Sequence, residues 1–177
     1  ELDRIMEEHA PRSASIVVLD PHSGAVLAMG SRPVADPNRP FSDYPELAWH
    51  NASVENAYEP GSVLKVFVTA AALEENLVSP RELIDCENGA IEVSGFRIRD
   101  HKPFATLAVS EIIAHSSNVG AIKIGRRFTN RRTLYNYLDG FGFGRRSGID
   151  VGGESAGLLR EPRRWSALST AALSIGQ

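Results

Sequence analysis

A serine and a lysine stand three residues apart in the stretch EPGSVLKVF, residues 59–67. On a helix, residues separated by three positions share a face, so Ser62 and Lys65 are expected about one turn apart. A serine hydroxyl is a weak nucleophile at neutral pH and needs a neighbouring base. The apolar neighbours of Lys65 would lower the pKa of its ammonium, so that the neutral amine can be this base. The pair therefore indicates nucleophilic catalysis by serine.

These four residues alone also fit a simpler interpretation, in which Ser62 caps a helix and the head of Lys65 reaches water. A second polar segment, Ser116-Ser117-Asn118, is the only Ser-x-Asn sequence of the chain and follows an apolar helical pattern. At a cleft, Ser116 could pass a proton between Lys65 and a leaving amine, and Asn118 could hold a substrate amide. The same segment also fits a helix that ends with Asn118 as its C-cap.

The composition excludes several other classes of function. The chain has 177 residues, 42% apolar and 23% charged, with a net charge of −3, so it is expected to fold and gives no reason to expect nucleic acid as a partner. Its five histidines have no metal-ligand spacing, and we expect neither a metal nor an organic cofactor. The single cysteine, Cys86, is interpreted as a structural thiol.

The pattern of apolar residues predicts a mixed fold, α/β or α+β. Two short apolar runs joined by PHSG predict a β-hairpin at 15–20 and 25–30. An apolar segment from Ser62 to about residue 77 predicts a helix that is buried around nearly its whole circumference. The other expected elements are strands around Asn88-Gly89 within 84–100, helices at 107–115 with Thr106 as N-cap, at 119–128, 131–139 and 163–173, a long connection over 31–57, and a glycine-rich loop over 141–157.

Two of these segments together resemble a known family. YEPGSVLKVF at 58–67 and AHSSNVGAIKIG at 114–125 are similar to the first two motifs of the transpeptidase domain of class B penicillin-binding proteins. The opening hairpin and the glycine-rich segment occur in the family's order, so the resemblance covers essentially the whole chain. It implies a β-lactamase/transpeptidase-like fold.

By this resemblance, Ser62 is the acylated nucleophile, Lys65 is the general base, and Ser116 and Asn118 form the second motif. The implied reaction is a D,D-transpeptidation. Ser62 attacks the bond between the last two D-alanines of a peptidoglycan stem peptide, and an amine of a second stem peptide then takes the acyl group. β-Lactam antibiotics would acylate the same serine.

The third motif of the family, Lys-Thr/Ser-Gly, is absent, since no lysine here is followed by Thr-Gly or Ser-Gly. Arg146-Ser147-Gly148 lies in the glycine-rich segment, and we reject it as a substitute. We therefore expect residues 1–177 to be the N-terminal and helical part of a transpeptidase domain, within a longer protein whose following strands carry the third motif.

The resemblance further implies a parent protein in the bacterial inner membrane, with one N-terminal span, an extracytoplasmic enzyme domain and a membrane glycosyltransferase as partner; the piece described by this sequence would itself be soluble. Two alternatives remain open. One is a serine β-lactamase or β-lactam sensor of the same fold, although the sequence lacks the glutamate in an E-x-x-L-N context that a class A β-lactamase would need. The other is a catalytically incomplete module for folding or interaction, which the missing third motif favours.

Overall fold

The computed structural model describes all 177 residues, which divide into two compact units. Unit 1 comprises residues 1–57 and 146–157, and unit 2 comprises residues 58–145 and 158–177. None of the helices is long and apolar enough to cross a membrane. The helices are α1 (Leu2–His9), α2 (Ala52–Glu55), α3 (Leu64–Glu74), α4 (Val109–Ala114), α5 (Asn118–Gly125), α6 (Arg131–Gly140) and α7 (Ala167–Ile175). The strands are β1 (Ala14–Leu19), β2 (Val26–Arg32), β3 (Leu83–Asp85), β4 (Ala90–Val93), β5 (Phe96–Arg99) and β6 (Thr106–Ala108).

Unit 1 is built on the predicted hairpin, which is confirmed. Strands β1 and β2 pair antiparallel, and a bulge interrupts their register between Val18 and Leu19. Gly24 closes the turn with φ of 73° and donates its N–H to the carbonyl oxygen of Asp20 at 2.8 Å. Glycine is suited to this position because a side chain disfavours positive φ. The connection over 31–57 contains α2 and two short 3-10 turns.

Unit 2 holds most of the apolar core. Helices α3, α5 and α7 pack on one another, and α6 packs on α3. The contact between α5 and α7 is close at Gly125, where an added Cβ would lie 1.9 Å from Ser174 Oγ. Around these helices, β3 pairs with β6 and β4 pairs with β5, each antiparallel. The mixture of helices and short antiparallel strands confirms the predicted fold class.

The helix that follows the serine is less buried than the sequence predicts. Leu64, Lys65 and Val68 are buried, but Val63 is 64% exposed and Val66 is 54% exposed. The prediction of burial around nearly the whole circumference is therefore wrong. Apolar residues on all faces do not show which face a neighbouring element will cover.

One helix boundary is also predicted wrongly. Thr106 is not an N-cap, because it begins β6; the helix begins at Val109, and the Glu111 carboxylate accepts the N–H of Ala108 at 2.7 Å. The short strands predicted around Asn88-Gly89 are confirmed: β3 precedes this pair, β4 and β5 follow it, and the hairpin of β4 and β5 turns at 94–95. The predicted helix at 163–173 is a 3-10 turn followed by α7, which Ser166 caps.

Candidate active site

Ser62 lies in a tight turn at the start of α3. Residues Gly61–Val63 form a 3-10 turn, and the α-helix begins at Leu64. Gly61 has φ of 59° and donates its N–H to the carbonyl oxygen of Gly176 at 3.0 Å. A Cβ added to Gly176 would lie 1.9 Å from the carbonyl oxygen of Gly61, so only glycine fits there. The turn is thus held against the end of α7 and leaves Ser62 exposed to solvent.

Lys65, one turn further along, is 2% exposed. Its Nζ donates to three acceptors: the carbonyl oxygen of Ser116 at 2.7 Å, Ser116 Oγ at 3.0 Å and Asn118 Oδ1 at 2.7 Å. An ammonium has three N–H donors, so these acceptors satisfy it fully. None of the three bonds goes to Ser62. Among the three acceptors, only the Ser116 hydroxyl carries a proton that it can return to the neutral amine.

The environment of Lys65 favours its neutral form. Burial lowers the pKa of its ammonium below the ordinary value, because the charged form is poorly solvated there. The negative charge of Asp100 partly opposes this effect. Lys65 is therefore a lysine that gives up its proton more easily than a surface lysine. General bases in enzymes are tuned in this direction.

The second segment lies between two helices. Helix α4 ends with His115 as its C-cap, Ser116 has φ of 55°, and Ser117 is the N-cap of α5. Asn118 is the first residue of α5. The structure thus contradicts the alternative in which Asn118 is a C-cap. The sharp turn at Ser116 aims both its hydroxyl and its carbonyl oxygen at Lys65.

The side-chain amide of Asn118 is fixed at both ends. Its Oδ1 accepts from Lys65, and its Nδ2 donates to the carbonyl oxygen of Arg99 at 2.8 Å. A primary amide has two N–H donors and two acceptor lone pairs, so one of each remains for a ligand. Asn118 therefore links α3 to β5 and keeps one donor and one acceptor free.

Asp100, which directly follows β5, supports this segment. Its carboxylate accepts the N–H groups of Asn118 at 2.5 Å and Val119 at 3.0 Å, and the hydroxyl of Ser117 at 2.7 Å. Asp100 cannot be identified from the sequence, because nothing in FRIRDH distinguishes it from a surface aspartate. The only indication in the sequence is Ser117, a potential N-cap. A single N-cap side chain cannot satisfy all the free N–H groups at the start of a helix, so a second acceptor is expected there.

Four residues were predicted as site residues from the sequence. The structure joins three of them, Lys65, Ser116 and Asn118, by direct hydrogen bonds. It places Ser62 one helical turn from Lys65 without a hydrogen bond between them. Arg146-Ser147-Gly148, which we rejected as a third motif, makes its hydrogen bonds within the glycine-rich loop. Ser147 donates both its N–H and its hydroxyl to Glu154 Oε1 at 2.6 Å.

No group of three or more potential metal ligands occurs in the structure. Cys86 is fully buried beside Ser117, and burial raises the pKa of its thiol. A thiol with a raised pKa is a poor nucleophile, because the thiolate is the reactive form.

Comparisons with known proteins identify relatives of the chain. The chain is 36% identical over 176 residues to a Neisseria gonorrhoeae protein named "Probable peptidoglycan D,D-transpeptidase PenA" and 34% identical over 179 residues to Stage V sporulation protein D of Bacillus subtilis. These alignments cover 99% and 100% of the chain but only 30% and 28% of the two relatives. The chain therefore spans about a third or less of their length.

Solved structures give the same result. The transpeptidase (TP) domain of Burkholderia pseudomallei penicillin-binding protein 3 matches with a TM-score of 0.84 and 29% identity, over 99% of this chain and 48% of that one. A structure described as a peptidoglycan glycosyltransferase from Burkholderia ambifaria matches with a TM-score of 0.86 and 28% identity, over 99% and 51%. The model of the penicillin binding protein transpeptidase domain family matches residues 14–177, and the chain belongs to this family.

Proposed function

We propose that this chain carries the nucleophile and the general base of a peptidoglycan D,D-transpeptidase. The observation that supports this most directly is Lys65, a buried lysine with a lowered pKa, one turn from the exposed Ser62 and bonded to Ser116 and Asn118. The names of the relatives point to the same activity.

In the proposed reaction, Ser62 Oγ attacks the carbonyl carbon of the penultimate D-alanine of a stem peptide, and its proton passes to Lys65. The bond to the last D-alanine breaks, and its nitrogen takes a proton from Lys65 by way of the Ser116 hydroxyl. An acyl-serine remains. The amine of a second stem peptide attacks this ester, loses a proton to the same relay and restores Ser62 as the cross-link forms.

The residues of the second segment have separate roles in this scheme. All three bonds of Lys65 go to Ser116 and Asn118, so a proton from Ser62 reaches Nζ only if one of these bonds yields or if Ser116 relays it. The free donor and acceptor of Asn118 would hold the peptide backbone of the substrate. The N–H groups at the start of α3 favour the negative charge that develops on the attacked carbonyl.

Intact mass after incubation with benzylpenicillin tests the proposal. Two samples are compared: the 177-residue chain, and the longest natural chain that contains it. A stable adduct with the full mass of the drug is expected on the longer chain, because ring opening releases no fragment. Ser62→Ala should abolish the adduct. If the longer chain is not labelled at Ser62, the proposed function is wrong.

The same experiment separates a transpeptidase from a β-lactamase and from an interaction module. A β-lactamase would regenerate the free serine and leave hydrolysed drug, whereas a transpeptidase keeps the adduct for long times. An adduct on the 177-residue chain as well would mean that the first two motifs suffice for acylation. Labelling of neither sample would favour the interaction module.

We also propose that the parent protein is anchored in the inner membrane by one N-terminal span, exposes this domain outside the cytoplasm and works with a glycosyltransferase. The support is the family resemblance alone. Membrane fractionation of the native protein, followed by protease treatment of spheroplasts, tests the topology. Chemical cross-linking in cells, followed by purification of the protein, tests the partner. Cross-linked complexes that contain no glycosyltransferase would contradict the proposed partnership.

A further inference from the structure

Asp100 is the acceptor around which the start of α5 is built. Its Oδ1 accepts the N–H groups of Asn118 and Val119, and its Oδ2 accepts the hydroxyl of Ser117. Ser117 Oγ in turn accepts the N–H of Gly120 at 2.9 Å. The first N–H groups of a helix have no partner within the helix, so one carboxylate and one hydroxyl together satisfy three of them.

We propose that Asp100 is a positioning residue of the active site, which holds the Ser116–Asn118 segment against Lys65 and supplies the negative charge that acts on this lysine. The proposal rests on the proposed function of the site.

The positioning role follows from how Asn118 is held. Its backbone N–H binds Asp100, its Nδ2 binds the carbonyl oxygen of Arg99, and its Oδ1 binds Lys65. Two consecutive residues at the end of β5 thus fix both the backbone and the side chain of Asn118. If Asp100 releases the backbone, the start of α5 can shift, and the acceptors of Lys65 shift with it.

The electrostatic role follows from the charges around Lys65. Helix α3 packs on α5, α6 and α7, and α7 carries no charged residue. The buried thiol of Cys86 lies beside Ser117 and stays protonated because burial raises its pKa. The charged and titratable side chains on α5 and α6 are all bound to other groups: Lys123 to Glu87, Asp139 to Arg145, Arg132 and Tyr135 to Glu161, Tyr137 to Glu75, and Arg131 to the carbonyl oxygen of Trp165. Asp100 remains as the charge that acts on the lysine.

The charge of Asp100 and the burial of Lys65 act on the lysine in opposite directions. A negative charge stabilises the ammonium form of Lys65 and keeps its pKa higher than burial alone would. Removing the charge should make the neutral amine available at lower pH. The acid limb of acylation, which follows deprotonation of the base, should then move to lower pH.

The test uses the longest natural chain that contains residues 1–177 and a fluorescent penicillin. Acylation rates are measured across pH for the parent, Asp100→Asn, Asp100→Ala and Glu92→Gln. Asparagine keeps the shape and one oxygen acceptor while it removes the charge. Glu92 is an exposed carboxylate on β4, the partner strand of β5, and serves as the matched control. Circular dichroism gives the folded fraction of each variant.

We expect Asp100→Asn to move the acid limb to lower pH, with its maximal rate within about threefold of the parent. Asp100→Ala lacks the charge as well, so its acid limb should also move to lower pH. Its maximal rate should fall about 10- to 100-fold, because misplacement of a reacting group by one ångström can cost that much. Glu92→Gln should match the parent.

Two results would overturn the inference. One is an unmoved acid limb in Asp100→Asn; the other is an Asp100→Ala rate equal to the parent's after correction for the folded fraction. If the unsubstituted chain is labelled at Ser62, either result contradicts only the role of Asp100. A parent that is never labelled overturns the proposed function and this inference with it.

Discussion

Lys65 Nζ and Asn118 Oδ1 are 2.7 Å apart, although the two residues are 53 positions apart in the chain. This bond links α3, the helix that follows Ser62, to Ser116-Ser117-Asn118, the segment that resembles the second motif. Because Ser116 binds the same Nζ, the lysine is the centre of the cluster. A change at Lys65 therefore affects every other member.

Replacing Lys65 by methionine should remove the base while keeping the volume. We expect acylation by benzylpenicillin to fall by about a thousandfold, within the range for loss of general acid–base catalysis. Time-resolved intact mass of the longest natural chain measures the rate. Lys123→Met is the control, since Lys123 on α5 binds Glu87 and the carbonyl oxygen of Asp85 instead. Acylation of Lys65→Met at the parent's rate would refute the base assignment.

The buried ammonium should also give stability a pH dependence on the alkaline side. Burial lowers the pKa of Lys65 below its ordinary value of 10.5, so between the two values the unfolded chain binds a proton that the folded chain does not. The free energy of unfolding then rises with pH in this interval, and below it the buried charge costs a constant amount. Lys65→Met lacks both effects.

As pH rises from neutral to 10.5, the unfolding free energy of the unsubstituted chain should therefore increase relative to that of Lys65→Met. Urea unfolding at a series of pH values measures it. A difference that stays constant over this range would show that the pKa of Lys65 is the same in the folded and unfolded chains.

Gly176→Ala should disturb the turn of the serine. The new Cβ would meet the Gly61 carbonyl oxygen at 1.9 Å, and φ at this position is 82°. We expect a loss of about 2–3 kcal/mol in stability, as for overpacked sites, and slower acylation. Gly95→Ala is the matched control, because φ is 81° and nothing lies within 4 Å of its Cβ.

The Gly95 variant should cost only about 1 kcal/mol from strained backbone and leave acylation at Ser62 unchanged. Denaturant unfolding and penicillin labelling are measured on both variants. Equal effects of the two substitutions would mean that the contact with Gly61 does not position Ser62.

Ser117→Ala should remove the N-cap of α5 and one donor to Asp100. N-cap serines contribute about 1–2 kcal/mol, and here the loss should be at the upper end because Ser117 is fully buried. Ser166→Ala, which removes the exposed N-cap of α7, is the control. Thermal unfolding should show the smaller loss of stability for Ser166→Ala, and acylation should fall only in Ser117→Ala. A larger loss of stability in Ser166→Ala would contradict the stronger contribution of the Ser117 N-cap.

The sequence was sufficient for the residues whose type is unusual in its context. A lysine inside an apolar helix and a Ser-x-Asn segment at a helix break were both informative, and the structure joins Lys65 to Ser116 and Asn118. The hairpin of unit 1 was predictable because glycine and proline mark its turn. The roles of the four site residues stay predictions until the labelling is done.

The features that escaped prediction depend on partners far away in the chain. Asp100 is an ordinary polar residue in sequence, and its role appears only where β5 ends at the start of α5. Thr106 looked like an N-cap because threonine often is one, but pairing with β3 drew it into a strand. The exposure of Val63 and Val66 likewise depends on which elements pack against α3. The local pattern of apolar residues does not determine those neighbours.

The hydrogen bond from the N–H of Gly61 to the carbonyl oxygen of Gly176 has a consequence for the order of folding. The two residues are 115 positions apart (176 minus 61), and closing a loop of this length costs more entropy than forming a local turn. The turn that presents Ser62 cannot be completed before α7 has docked. Incompletely folded molecules therefore lack a positioned nucleophile, and covalent labelling by a penicillin would report on completed folding as well as on chemistry.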